Sequence, residues 1–362
     1  MKKESFLLAL TMLAPWAAHA QTSVAIYGVA DAGVVVEHGC SACPVTKLSS
    51  GIASPSRLGF RGTEDLGAGM SAKFVLETGV LLDTGMNNPT GLAFDRQAYV
   101  GLYGDYGGVS FGRQYTPQFI TLTVFADPFH TGMAGNARNL MASPATRMNN
   151  TLEYTSPNVG GLSAELAYGF GEVAGNLGAG RALGTALTYT NGPLNLRLAY
   201  HDQNTTITAA PATATVAAIA ARDTDATNLL AAANYNFGVF TGYFAYAKNS
   251  GIGSSPVPVI VAPSAPVPPA STDSRDALIG VSVPYGIHTF IASYVRKDDR
   301  TAANQDADQI AVGYQYAFSK RTDLYTSYAR INNRNGASYA VGSGATLGVG
   351  RIALNAGVRH TF

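Results

Sequence analysis

The strand pattern of this chain is clear in residues 162–170, which read LSAELAYGF. Apolar side chains alternate here with small or polar ones, which is the two-residue period of a β-strand with one apolar and one polar face. The same alternation returns in residues 194–201 and 309–318. It fits a soluble sandwich, whose apolar face is the core, as well as a membrane barrel, whose apolar face meets lipid. The strand count and the connections must therefore decide between them.

The connections alternate between short and long. Tight turns, most of them rich in Gly, Asn, Pro or Asp, lie at residues 64–67, 104–107, 157–161, 191–192, 236–238, 284–286 and 319–321. Longer polar or Pro/Gly-rich segments lie near residues 37–51, 84–91, 117–145, 172–180, 203–224, 250–273, 298–305 and 333–342. Fifteen connections join sixteen strands, and short turns at one end with long loops at the other are typical of an outer-membrane barrel. We therefore predict an all-β protein, a 16-stranded antiparallel transmembrane β-barrel, rather than a secreted β-sandwich.

The composition agrees with such a barrel. Only 13% of the 362 residues are charged, about half the roughly 25% of soluble domains, and 24 basic residues nearly balance 23 acidic ones. This near neutrality argues against a nucleic-acid-binding protein. A mean hydropathy of +0.07 is too low for a bundle of membrane-spanning helices. Strands that turn half of their positions to hydrocarbon account for the scarcity of charge.

The N-terminus is predicted to be a signal peptide covering residues 1–20. It opens with a Lys-Lys pair, continues with an apolar core over residues 6–14, and ends in an Ala-His-Ala sequence that suits signal peptidase. The apolar core is too short to cross the roughly 30 Å of a bilayer as a helix, which argues against a membrane anchor. We therefore expect the barrel domain to occupy residues 21–362.

Six segments together resemble the general diffusion porins of Gram-negative outer membranes, in their β-proteobacterial type. They are VAIYGVADAG at 24–33, SRLGFRGTEDLG at 56–67, RQAYVGL at 96–102, FGRQYTP at 111–117, NNTLEYTSPN at 149–158 and GVRHTF at 357–362. The resemblance implies a homotrimer in the outer membrane, among its lipid and lipopolysaccharide. It implies that each barrel is a water-filled pore narrowed by an inward-folded third loop, here about residues 117–145. It also implies that Phe362 belongs to an assembly signal read by the barrel assembly machinery.

Strand alternation indicates which charged side chains face the interior. When the apolar residues of the second, third and sixth strands face lipid, the inward-facing charged residues include Arg57, Arg61, Lys73, Glu77 and Arg147. A cation on the lipid face near mid-bilayer costs about 2–4 kcal/mol, so the inward assignment is energetically favoured. A structural salt bridge across the lumen, or a solvated position at its rim, is the alternative for each of these arginines.

The family resemblance assigns roles within this set. Arg57, Arg96 and Arg147 match the family's stacked arginine cluster, while Glu77 and Asp127 match its acidic partners. Asp127 lies in the third long segment, where the family carries an acidic loop tip.

Alternation does not place two further arginines. Arg96 and Arg113 share a strand face with apolar neighbours, so either a bulge turns each side chain inward or it lies in the headgroup zone.

Basic residues outnumber acidic ones in the predicted constriction. We therefore expect passive, size-limited diffusion of small hydrophilic solutes and ions through the barrel, with a mild anion preference. We do not expect the protein to be an enzyme or to bind a cofactor. A substrate-specific uptake channel is the alternative, because the long loops near 203–224 and 250–273 are large enough to bind partners.

The two cysteines, Cys40 and Cys43, form a C-x-x-C motif in the first long segment. In an exported protein we expect a small loop disulfide here rather than a redox or zinc site, because no second ligand pair accompanies it. The six histidines show no metal-ligand spacing and lie near no recognisable serine nucleophile. We therefore predict neither a metal site nor an outer-membrane hydrolase.

Overall fold

The computed structural model describes residues 23–40, 43–87, 91–207, 222–251 and 271–362, so the predicted signal peptide lies outside the described residues. The described strands are β1 (Ser23–His38), β2 (Val45–Ser50), β3 (Arg57–Gly67), β4 (Met70–Leu81), β5 (Met86–Asn87), β6 (Gln97–Gly104), β7 (Gly107–Tyr115), β8 (Arg147–Thr155), β9 (Leu162–Gly169), β10 (Ala182–Asn191), β11 (Leu194–Ile207), β12 (Arg222–Asn236), β13 (Thr241–Ser250), β14 (Asp273–Tyr285), β15 (His288–Asp299), β16 (Ala307–Ala317), β17 (Thr322–Asn333) and β18 (Ile352–Thr361). Neighbouring strands pair antiparallel throughout.

The sheet closes on itself at β1. One edge of β1 pairs with β18, and the other pairs with β3 in its first half and with β2 in its second. Gly28 and Phe362 also exchange two backbone hydrogen bonds of 3.1 Å at the seam. Because β2 and β3 form one interrupted crossing and β5 is a two-residue addition to β4, sixteen strands make the wall. The predicted 16-stranded antiparallel barrel is thus confirmed.

The apolar faces of the strands point outward. Leu166 on β9, Leu198 on β11 and Ile310 on β16 are 50%, 47% and 58% exposed, and these are the strands that alternation predicted. In a soluble sandwich such side chains form the core. An outer wall of half-exposed Leu and Ile instead suits a barrel embedded in hydrocarbon.

Six of the seven predicted short turns lie where they were expected. The first prediction was wrong in position, because residues 64–67 continue β3 and the chain reverses at Ala68 and Gly69. Gly67, Ala68 and Gly69 have φ values of 80°, 50° and 75°, in the left-handed region that glycine adopts most cheaply. A register shift just before Gly67 carries the strand past the predicted turn.

Several long connections differ from their predicted bounds. Part of the first, predicted as loop over residues 37–51, is strand: β1 reaches His38, and β2 pairs with the second half of β1, which satisfies backbone groups that would otherwise lack partners. The second and the eighth are longer than predicted: the second lies between Leu81 and Gln97, and the eighth covers residues 334–351. Most of the loops predicted near 203–224 and 250–273 lies outside the described residues.

The third long connection, residues 116–146, is called L3 below. It contains α1 (Pro117–Ile120), a π-helical turn (Thr121–Ala126) and a 3₁₀ turn (Ala137–Asn139). Thr116 caps α1, because its Oγ1 accepts a 3.0 Å hydrogen bond from the Phe119 amide and Pro117 occupies the first helical position. Within the described part of the chain, no helix is long and apolar enough to cross a membrane.

L3 folds into the barrel and packs against the wall from β12 to β17. Two glycines of that wall make room for it. A Cβ at Gly280 would lie 2.6 Å from Pro128, and one at Gly313 would lie 2.6 Å from Phe129, far inside van der Waals contact. The inward-folded third loop is therefore as predicted, and the missing side chains on β14 and β16 allow its approach.

Hydrogen bonds hold L3 on two sides. The Ala134 amide donates to Ser327 Oγ on β17 at 3.0 Å, and the Met133 amide donates to the Ile52 carbonyl at 2.6 Å. Ile52 belongs to residues 51–56, which leave the wall between β2 and β3 and enter the interior. These two bonds fasten the Met133–Ala134 segment of L3 to β17 and to this inward excursion, and an open space remains between L3 and strands β3 to β8.

Candidate functional site

A cavity of about 880 Å³ lies between L3 and the opposite wall. Its charged lining residues are Arg57, Arg61, Glu77, Arg96, Arg138, Arg147 and Arg359, with His130 beside them. Within the described part of the chain, Glu77 is the single carboxylate of this lining, set against six arginines. A confined space with one dominant sign of charge and low-dielectric walls concentrates counterions, which here are anions.

On the wall opposite L3, Glu77 on β4 contacts Tyr27, Arg57 and Arg96. It is 3% exposed, and its Oε1 accepts a 2.8 Å hydrogen bond from Arg96 Nε. Its Oε2 accepts a 3.0 Å hydrogen bond from the Tyr27 hydroxyl and lies 3.5 Å from Arg57 Nε. The single negative charge is thus shared by two arginines, so the lining keeps a positive excess.

The structure also places the two arginines that alternation left open. Arg96 precedes the first residue of β6, and its side chain turns inward to Glu77 although the strand parity points the other way. Arg113 lies at a register shift of β7. It donates to the Asp95 carbonyl at 2.7 Å and to the side chain of Asn149, and it does not line the cavity.

Lys73 lies apart from the predicted set. It shares the inward face of β4 with Glu77, but four residues of strand, about 13 Å, separate the two. Its Nζ lies 4.5 Å from the centre of the Tyr103 ring, near the short turn that follows β6. Alternation predicted the correct face of β4 for Lys73, but it does not tell how far along the barrel axis a residue lies. The prediction of Lys73 as a cavity residue was therefore wrong.

The prediction that Asp127 faces the lumen was also wrong, because this side chain is fully buried within L3. Its carboxylate accepts hydrogen bonds from the backbone amides of Phe129 (3.0 Å), Thr131 (2.9 Å) and Ala137 (2.9 Å). Burial raises the pKa of Asp127, and these three donors act to lower it. Asp127 therefore organises the loop that borders the cavity and contributes no charge to the lining.

Two arginines of the lining were missed. Arg138 lies in L3, where no strand parity exists to assign it. Burial and the nearby Arg147 cation lower the pKa of Arg138, and an arginine remains charged nonetheless. Arg359 lies on β18, where outward-facing Leu354 and Val358 are a signal that predicts its inward face. It bonds Asp323 at 2.9 Å, which offsets its charge.

The remaining predicted residues lie away from the cavity. Cys40 and Cys43 are joined by a disulfide in the first long loop. Phe362, at the barrel seam, is half exposed on the outside with its ring 6.5 Å from that of His360. Among the residues described, no three His, Cys, Asp or Glu side chains gather closely enough to hold a metal ion.

Comparison with known proteins gives a consistent picture. The family model for Gram-negative porins matches residues 7–336. The chain is 31% identical to outer membrane porin protein 32 of Delftia acidovorans and 29% identical to an outer membrane porin protein of Bordetella pertussis, each over the full length of both chains. It also superposes on the anion-selective porin from Comamonas acidovorans with a TM-score of 0.74 and 29% identity, covering 94% of this chain and 100% of that one.

Proposed function

The chain belongs to the Gram-negative porin family, and we propose that the cavity beside L3 is the constriction of its pore. The protein is an outer-membrane β-barrel channel for passive diffusion of small hydrophilic solutes and ions. Family membership points to a channel rather than an enzyme. The proposed mechanism accordingly contains no chemical step: solutes pass down their gradient, limited in size by the space that L3 leaves open.

The observation that carries the proposal is the charge of the cavity lining. Arg57, Arg61, Arg96, Arg138 and Arg147 surround a space whose single lining carboxylate, among the described residues, is already shared between two of them. Fixed cations in a narrow aqueous passage lower the energy of an entering anion and raise that of a cation. A mild anion preference follows, in line with the name of the anion-selective relative.

We further propose that three barrels assemble into a homotrimer surrounded by outer-membrane lipid and lipopolysaccharide. The apolar outer face of the strands suits contact with both lipid and neighbouring barrels. Residues 1–20 act as the export signal, and Phe362, at the seam that closes the barrel, forms part of the signal for the barrel assembly machinery. Deleting Phe362 tests the last point, because the variant should accumulate unfolded in the periplasm.

The test of the main proposal is single-channel recording of the purified native protein in a planar bilayer. We expect stepwise, ohmic conductance and, in a tenfold KCl gradient, a reversal potential on the side of chloride permeation. A reversal potential that favours potassium contradicts the anion preference, and the absence of conductance steps contradicts the channel. Conductance that a specific solute blocks at micromolar to millimolar concentration would instead identify a substrate-specific channel.

A further inference from the structure

Two aromatic rings link the wall of the cavity to L3. Tyr115 is the last residue of β7, and Phe119 lies in α1, one helical turn beyond it. Their ring centres are 5.3 Å apart, and the ring planes differ by 18°. Offset-stacked rings at this separation attract each other beyond the effect of the area that they bury. We call this pair the aromatic pair.

Tyr115 binds two of the cavity arginines through one oxygen. Its hydroxyl oxygen accepts hydrogen bonds from Arg96 Nη2 at 2.5 Å and from Arg147 Nη2 at 3.1 Å. A phenolic oxygen has lone pairs for both. The Arg147 guanidinium also lies over the ring, 4.7 Å from its centre, at a distance suited to a cation–π contact. The ring and the hydroxyl of one tyrosine thus both contact Arg147.

The two arginines depend on Tyr115 to different degrees. Arg96 has a second partner, because its Nε donates to Glu77. For Arg147, the Tyr115 hydroxyl is the hydrogen-bond partner that the described residues provide, and its Nε is buried without one. A free arginine side chain has many rotamers of similar energy. The position of the Arg147 guanidinium is therefore set mainly by Tyr115.

On the loop side of the cavity, Phe119 contacts a third arginine, Arg138. The Arg138 guanidinium lies 5.6 Å from the centre of the Phe119 ring, and none of the described carboxylates forms an ion pair with Arg138. Arg147 on the wall and Arg138 on L3 are thus the two ends of one continuous set of contacts through the aromatic pair. Neither cation is neutralised by a carboxylate in the described structure.

We propose that Tyr115 is a positioning residue for ion selectivity, which holds the guanidinium groups of Arg96 and Arg147 toward the cavity. The inference rests on the proposed function, because it concerns the selectivity of the same constriction. Without the hydroxyl, Arg147 loses its hydrogen-bond partner and its cation spends less time at the constriction. The aromatic ring that remains at position 115 keeps its stacking contact with Phe119 of L3.

The test is the variant Tyr115→Phe, which removes the hydroxyl and keeps the ring. Its matched control is Tyr103→Phe, since Tyr103 also carries a cation over its ring, that of Lys73, but lies outside the cavity. The readout is the chloride-to-potassium permeability ratio from reversal potentials in a KCl gradient. We expect Tyr115→Phe to lower this ratio at least twofold and Tyr103→Phe to leave it unchanged. An equal ratio in both variants overturns the inference.

A second background separates positioning from a general loss of structure. In Arg147→Gln, the added change Tyr115→Phe should lower the permeability ratio less than it does in the native background, because the main group that Tyr115 positions is already gone. The full effect in both backgrounds overturns the inference. If the native protein itself shows no anion preference, the proposed anion-preferring constriction is contradicted, whatever the variants show. An anion-selective native protein with an unaffected Tyr115→Phe variant removes only the positioning role.

Discussion

The Tyr325 hydroxyl donates a 2.5 Å hydrogen bond to the Asp31 carboxylate and so joins β17 to β1 across the intervening strand β18. Gly357 on β18 lies beneath this bond, and a Cβ there would be 2.3 Å from the Tyr325 hydroxyl oxygen. Asp31 also accepts hydrogen bonds from the amides of Ile52 (3.1 Å) and Ser54 (2.7 Å). The carboxylate thereby fixes the inward excursion that contacts L3 and precedes Arg57.

Replacing Tyr325 by Phe should destabilise the barrel. A hydrogen bond to a charged group contributes about 1.5–3 kcal/mol, and we expect a loss of that size in the free energy of unfolding, measured by denaturant titration in lipid vesicles. Tyr328→Phe on the same strand is the control, because Tyr328 faces outward. Equal stability of the two variants would contradict a structural role for the Asp31–Tyr325 bond.

Replacing Glu77 by Gln should have two opposite consequences. The anion preference should rise, because the variant removes the negative charge of the cavity lining. The free energy of unfolding should fall by about 3–5 kcal/mol, since Arg96 is left buried without its charge partner. The double variant Glu77→Gln with Arg96→Gln should recover part of this loss. An unchanged reversal potential in Glu77→Gln would count against a cavity role for Glu77.

Replacing Arg138 by Ala should lower the anion preference with little change in stability. Its guanidinium has no carboxylate partner among the described residues, so its removal breaks no ion pair there. Arg321→Ala is the control, because it removes the same charge from a short turn at the end of the barrel. The difference between the two should shrink as salt rises from 0.1 M to 1 M, because the screening length falls from about 10 Å to about 3 Å. Identical reversal potentials at low salt would exclude Arg138 from the constriction.

Replacing Asp127 by Asn should loosen L3. An amide offers one oxygen where the carboxylate offers two, so at least one of the three backbone donors loses its partner, at a cost of about 1–3 kcal/mol. We expect faster trypsin cleavage after Arg138 in the folded variant, followed by mass spectrometry. Asp105→Asn, in the short turn between β6 and β7, is the control. Cleavage of Asp127→Asn at the native rate would contradict this role of Asp127.

Alternation predicted the inward face of charged residues on the strands, including Arg57 and Arg147 at the first positions of β3 and β8. Arg57, Arg61, Glu77 and Arg147 all line the cavity, because the two-residue period of a strand fixes the face of every side chain once the apolar face is known. The same period says nothing about height along the barrel. For that reason it could not distinguish Lys73, near the short turns, from Glu77, beside L3.

Outside the strands the sequence had no comparable period. Arg96 lies one residue before β6 and Arg138 lies in a loop, so their directions depend on the partners that they meet, Glu77 and Phe119. The prediction that Asp127 faces the lumen was wrong for the same reason. Its residue type suited a charged loop tip, whereas the folded loop turns three backbone donors toward it.

The barrel, its sixteen strands, its outward apolar face and the length of its third loop could be predicted from the sequence, because they follow from local alternation and from the order of turns. The arrangement of the interior could not be predicted in this way, because it depends on contacts between distant parts of the fold. The excursion held by Asp31, the glycines that admit L3 and the tyrosine that binds two arginines bring together residues far apart in the chain. Such contacts leave no periodic trace in sequence, since each depends on the position of all the strands at once.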